Sequence, residues 1–133
     1  TTLFRSFIND SKGTNVGSTQ AALVGLGNED QANIVLIAGG VGKDANFRLL
    51  APEVEKYCKH LVLIGEDADE MAEQLNFAQT SRSDTLAAAI DQARSQCAAG
   101  DLVLLSPACA SFDMFKSFEH RGDVFKQLVG DLR

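Results

Sequence analysis

The stretch "NIVLIAGGVGKDANF", residues 33–47, decides the fold. Its first seven residues are almost wholly apolar, Gly39, Gly40 and Gly42 then interrupt them, and a helical period opens at Phe47. A run that short and that apolar suits a strand covered on both faces, as in a parallel sheet, and the glycines turn the chain into the helix that follows. Strand, glycine turn and helix together form the repeating unit of an α/β fold.

The same alternation extends in both directions. Residues 4–8 (FRSFI), 60–65 (HLVLIG) and 101–106 (DLVLLS) are further strand-like runs, and residues 76–80 (NFAQT) make one more short strand. Helical faces fall between them: Phe47, Leu50, Val54, Tyr57 and Cys58; Ala68, Met71, Ala72 and Leu75; Leu86, Ile90, Ala93 and Cys97; and Phe118, Phe125, Leu128 and Leu132. An earlier helix, capped by Thr14 or Asn15, runs to about Leu26. The expectation is a three-layer, Rossmann-like α/β domain with a mostly parallel sheet flanked by helices. With no linker, repeat or low-complexity segment, residues 1–133 read as one domain.

Composition narrows the function classes. Apolar residues make up 45% of the chain and charged ones 23%, as in an ordinary globular domain. Eighteen acidic side chains outweigh twelve basic ones, for a net charge of −6, and no Lys/Arg stripe exists to neutralise a phosphate backbone. Nucleic acid is therefore not an expected partner. Cys58, Cys97 and Cys109 have neither CxxC nor metal-like spacing, and two histidines, His60 and His120, are too few for a His/Cys metal site. Free thiols suit a reducing cytosol. The apolar runs fall far short of the ~20 residues that a bilayer span needs. The chain opens at Thr1 without a methionine, as expected for a piece of something longer.

In an open parallel sheet, ligands bind beyond the carboxyl ends of the strands, which singles out residues 9–15, 39–46, 65–70 and 106–111. Gly40, Gly42 and Ala45 fit a loose G-x-G-x-x-A pattern, and Glu66 ends the next strand; these residues suit a stand-alone dinucleotide-binding module as well as a plain turn. A phosphate loop does not fit, because Ile37 and Asp44 stand where it needs Gly and Ser or Thr. Lys43, beside a helix start, is placed to hold a carboxylate or phosphate. Residues 9–15 crowd Asp10, Ser11, Lys12, Thr14 and Asn15 into one turn, more than turn and cap chemistry requires. Residues 108–111 (ACAS) are too small and polar to be core and suit close approach to a ligand, whereas Cys109, with no histidine partner, reads as structural. "EHRGD", residues 119–123, reads as a solvated charged face.

Three segments in this order, "INDSKGTNVGSTQAAL" (8–23), "GGVGKDANF" (39–47) and "LLSPACASFDMFKSFEHRGDVF" (104–125), strongly resemble the C-terminal domain of the Mur ligases, and within that family the D-glutamate-adding branch. The resemblance implies the third domain of a cytoplasmic, monomeric bacterial enzyme of peptidoglycan synthesis. In that family ATP phosphorylates the carboxylate of UDP-N-acetylmuramoyl-L-alanine, and the amine of D-glutamate attacks the acyl phosphate. The UDP-sugar site, the phosphate loop and the Mg2+ sites belong to two preceding domains that this chain lacks, so the chain alone is expected to be inactive. Position by position, the resemblance implies that Thr14, Lys43, Ser111 and Phe118 hold D-glutamate, Phe118 through its backbone. Phe112 stands at a neighbouring binding position, Asp10 contacts the adenosine part of ATP, and Lys12 approaches the reacting groups as the catalytic lysine. No metal ligand is implied in this chain.

Overall fold

The computed structural model describes residues 6–42, 44–111 and 114–132. Five strands form one sheet in the order β1-β5-β2-β3-β4: β1 Ser6–Asn9, β2 Ile34–Gly39, β3 Cys58–Ile64, β4 Thr80–Arg82 and β5 Leu102–Leu105. Among the described residues all four strand pairings are parallel, in line with the expected parallel sheet. The helices are α1 Val16–Leu26, α2 Ala51–Tyr57, α3 Ala68–Leu75, α4 Leu86–Gln96 and α5 Phe118–Gly130.

Side-chain alternation along the inner strands sorts the core into two layers. Ile34, Leu36, Ala38, Leu61, Leu63 and Leu104 face α1, α2 and α3, where they meet Leu23, Val54 and Met71. Val35, Ile37, Val62, Ile64, Val103 and Leu105 face α4 and α5, where they meet Ile90 and Phe125. All six residues of β2 are buried, which explains the unbroken apolar run: a strand covered on both faces has no polar side to present. Each such buried aliphatic side chain contributes about 1.5–3 kcal/mol. Among the described residues, no helix is long and apolar enough to cross a membrane.

Local boundaries differ from the sequence expectation in instructive ways. Asn15 caps α1 by accepting from the Ser18 N–H, as expected. The helix expected from Phe47 begins instead as a 3-10 turn, Phe47–Leu50, and becomes α-helical at Ala51, with Pro52 in the first helical turn, where its missing N–H costs nothing. Cys58 belongs to β3 and not to the preceding helix, and Cys97 is the residue after α4. The short strand expected at 76–80 lies at Thr80–Arg82, because Asn76 takes the left-handed conformation (φ 48°) that ends α3. The strand expected at 4–8 is seen from Ser6 to Asn9; its first two residues lie outside the described ones.

Two measurements test this core. Truncating Phe125, which is 1% exposed between α5 and the sheet, is expected to lower the unfolding free energy in urea by about 3–5 kcal/mol. Burial pushes the Cys58 thiol up to about 12 from its ordinary 9.0. The folded state therefore favours the neutral thiol, a contribution intact below pH 9 and lost as pH rises towards 12. Alkylation at about pH 8 followed by peptide mass spectrometry should leave Cys58 unmodified in native protein and label it in urea.

Candidate functional site

The sheet order creates a switch point. The connection after β2 runs to α2 on one face, the connection after the adjacent β5 runs to α5 on the other, and a crevice opens between them. A cleft of about 310 Å3 lies there, lined by Thr14 and Asn15 after β1, Val41, Gly42 and Ala45 after β2, and Ala108, Ala110, Ser111 and Phe118 after β5. Three loops distant in sequence thus share one cavity.

Backbone hydrogen bonds lace these loops together. Ala108 N–H donates to Gly13 O at 2.8 Å, and Gly39 N–H donates to Pro107 O at 3.0 Å. Val41 and Ala110 exchange a pair of N–H···O bonds of 2.9 Å each in an isolated antiparallel bridge. Gly40 can follow this path because φ is +133° there; a Cβ would lie 2.2 Å from Ala110 O. Ala108 itself is left-handed (φ 61°) without being glycine, a conformation costing of order 1–3 kcal/mol that persists because the residue is buried and hydrogen-bonded.

A polar network underpins the floor. Ser106 Oγ donates to Asp10 Oδ2 at 2.7 Å, and Thr19 Oγ1, 3.0 Å from that hydroxyl, donates to Ser106 O at 3.1 Å. Ser106 and Thr19 are completely buried, so these bonds satisfy groups that would otherwise be orphaned.

The expected site residues divide among several places. Thr14, Ser111 and Phe118 line the same cleft. Lys12 is exposed and lines a neighbouring cleft of about 200 Å3, with Phe118 as a wall common to both. Asp10 sits beneath the first loop with one carboxylate oxygen on Ser106. Lys43 and Phe112 lie outside the described residues; Lys43 stands in the chain between the cleft residues Gly42 and Ala45. Among the described residues, the lining of the larger cleft carries no charge, and no group of three His, Cys, Asp or Glu side chains is arranged to hold a metal.

Two sequence expectations are corrected. Ala108, Cys109 and Ser111 are buried, because the loop is pressed between its neighbours, and the amides of Ala108 and Ala110 go to protein carbonyls rather than facing a ligand. The "EHRGD" segment is not wholly solvated: Glu119 and Asp123 are exposed, but Arg121 is 1% exposed and Gly122 is buried. The Arg121 guanidinium donates from Nε to Ser11 Oγ at 3.0 Å, from Nη2 to Ser11 O at 2.7 Å and from Nη1 to Cys109 O at 3.1 Å. Ser11 Oγ in turn donates to Phe118 O at 2.6 Å. One side chain therefore joins the first and third loops. The signal was present in the helical period, since Arg121 falls four residues before Phe125 on the inward face, whereas Phe118 is 41% exposed.

The dinucleotide reading does not assemble. Gly42 N–H is taken by Asp67 Oδ2, a carboxylate where a pyrophosphate would sit, and Glu66 lines a separate cavity with Gly65, Ser83, Asp84 and Met114. The glycine loop leads into a four-residue 3-10 turn, whereas a dinucleotide fold needs the N-terminus of a full helix there.

The fold and crevice define a class: a wholly parallel three-layer α/β domain that offers a loop-built site beyond the carboxyl ends of its strands. A family model described as Mur ligase, glutamate ligase domain, matches residues 4–109, and the chain belongs to that family. The match ends before Ser111 and α5, but pairwise likeness extends further. The chain is 53% identical over 125 residues to a UDP-N-acetylmuramoylalanine–D-glutamate ligase of Hahella chejuensis, covering 93% of this chain and 28% of the relative. Relatives of the same name are 50% identical over 127 residues in Legionella pneumophila strain Lens and 48% over 124 residues in Coxiella burnetii strain Dugway 5J108-111, covering 95% and 92% of this chain. The chain spans 28% of the length of each of these curated relatives. Among solved structures, a bifunctional folylpolyglutamate synthase/dihydrofolate synthase of Yersinia pestis aligns with a TM-score of 0.58 at 16% identity over 87% of this chain and 27% of its own. A folylpolyglutamate synthase of Thermotoga maritima aligns with a TM-score of 0.52 at 13% identity over 71% of this chain and 23% of its own. At those identities the likeness is one of fold.

Replacing Arg121 by Met is expected to destabilise the chain by about 2–6 kcal/mol in urea unfolding, since Ser11 O and Cys109 O lose a buried donor at about 1–3 kcal/mol each. Lys should not restore it, because an ammonium lacks the planar fork that reaches three acceptors.

Proposed function

We propose that this chain is the glutamate-binding third domain of a cytoplasmic, monomeric ligase that joins D-glutamate to UDP-N-acetylmuramoyl-L-alanine at the expense of ATP. The observation that carries the reading is the convergence of Thr14, Ser111 and Phe118 on one cleft, in a chain about half identical to ligases of that name.

In this reaction the γ-phosphoryl group of ATP passes to the substrate carboxylate, giving an acyl phosphate and ADP. The D-glutamate amine attacks the acyl carbon, inorganic phosphate leaves, and the amine proton is lost to give an amide. Bound Mg2+ neutralises phosphate charge; the proposal assigns its ligands, the phosphate loop and the UDP-sugar site to domains outside this chain. The domain's own contribution is positioning. The hydroxyls of Thr14 and Ser111 hydrogen-bond the amino acid, the first-turn amides of α5 at Phe118 lack partners within the helix, and Phe112 is assigned a neighbouring binding position on the resemblance alone. Lys43 supplies the positive charge that the neutral lining lacks; at 4 Å and an effective dielectric of 20, a carboxylate gains about 4 kcal/mol of gross attraction. Asp10 keeps one carboxylate oxygen clear of its bond to Ser106 for the adenosine part of ATP. Lys12, on the neighbouring cleft, approaches the reacting groups as the catalytic lysine.

Kinetics of the full-length protein test this directly. Lys43→Ala, Thr14→Val and Ser111→Ala should each raise the KM for D-glutamate by roughly 10- to 100-fold, as for a lost hydrogen bond to a charged group, with the KM for the UDP-substrate little changed. An unchanged KM and kcat for D-glutamate in Lys43→Ala would overturn the assignment. The isolated domain should show no ligase turnover.

A further inference from the structure

Asp67 stands at the N-cap of α3, where an aspartate ordinarily turns its carboxylate back onto the first amides of its own helix. Here it makes no such bond. Oδ2 reaches across to accept the Gly42 N–H at 2.6 Å, and the Asp67 N–H donates to Gly40 O at 3.0 Å. One residue thus grips the glycine loop at two points that bracket Val41, whose own backbone is bridged on the other side to Ala110. The far end of the loop is held from the same helix, where Gln74 Oε1 accepts the Phe47 N–H at 2.7 Å.

The grip falls where the loop needs outside support. Gly42 is buried, with room at its Cβ position closed by Phe47 Cζ at 2.5 Å and Asp67 Oδ2 at 3.2 Å. Asp44, two residues further on, is left-handed at φ 60°, a conformation that persists only when its surroundings over-determine it. Lys43 lies between these two residues in the chain, and Val41, Gly42 and Ala45 form one wall of the cleft. The N–H···carboxylate bond is short and charge-assisted, the stronger kind, and it replaces a cap that would have stabilised α3.

We propose that Asp67 is a positioning residue for the lysine loop: acting through the Gly42 amide, it sets where Lys43 meets the carboxylate of the amino-acid substrate. This inference rests on the D-glutamate reading of the cleft. The role requires an acceptor at the Gly42 amide and not a negative charge, since Asp67 makes its contacts to backbone.

The test is steady-state kinetics of the full-length protein carrying Asp67→Ala, Asp67→Asn or Lys43→Ala, with melting temperatures alongside. Asp67→Ala should raise the KM for D-glutamate roughly 10- to 100-fold, the loss expected of one charge-assisted hydrogen bond, and leave the KM values for ATP and the UDP-substrate within about twofold. Asp67→Asn, whose neutral amide oxygen can still accept from Gly42 but more weakly, should recover part of that loss. In the combined Asp67→Ala/Lys43→Ala variant the two effects should fall well short of multiplying, because the first acts through the second. The inference is overturned if Asp67→Ala leaves the D-glutamate KM unchanged, if all three KM values rise together with a lowered melting temperature, or if Asn behaves like Ala. It is overturned too if Asp67→Ala acts while Lys43→Ala does not. An effect of Lys43→Ala without one of Asp67→Ala sinks this inference alone, whereas no effect of either sinks the D-glutamate reading with it.

Discussion

Everything in this molecule hangs on the double burial of β2. Its six residues carry apolar side chains or none on both faces, and its two edges are taken by β3 and β5, so it exists only when both helical layers are in place. Parallel pairing then brings the carboxyl ends of β1, β2 and β5 to one rim, and the crossovers send the chain away to opposite faces. The crevice is a consequence of that divergence, and the loops need only be joined across it. They are joined by backbone bonds between the loops, by the Val41–Ala110 bridge and by one buried guanidinium.

The strands that build the core were legible because period and burial coincide in them: a run with no polar face has no reading other than a covered strand or a buried helix, and its length excludes the helix. Boundaries were less legible where a single backbone conformation decides them. Asn76 ends α3 in the left-handed region and shifts β4 past its expected place; an Asn after the last apolar helical residue is the one letter there that marks a turn. In the site, Thr14, Ser111 and Phe118 are singled out by the resemblance, and all three line one cleft. Arg121 is less legible because its charge and its neighbours Glu119 and Asp123 mark a solvated segment, although it lies four residues before Phe125 on the inward face of α5. Asp67 offered no such clue. An acidic residue before a helix reads as a cap, and only the structure shows its carboxylate turned towards another loop.

The cleft economises on charge. Its described lining is neutral, its loop amides are largely spent on neighbouring carbonyls, and the acidic groups at its margin, Asp10 and Asp67, are each held by a donor from the protein itself. A ligand entering such a mouth would meet a few polar side chains on a hydrogen-bonded frame. A backbone nest for phosphate would need free amides where this one has a β-bridge.

The link from Arg121 through Ser11 to Phe118 has a direction. A guanidinium can only donate and a carbonyl can only accept, so the serine hydroxyl between them has a single orientation, its proton on Phe118 O and its lone pair towards Nε. None of the three groups titrates in the physiological range: the arginine stays charged, and the hydroxyl and carbonyl stay neutral. The link that joins the first and third loops is accordingly fixed by which groups can donate and which can only accept, and it needs no change of protonation to hold.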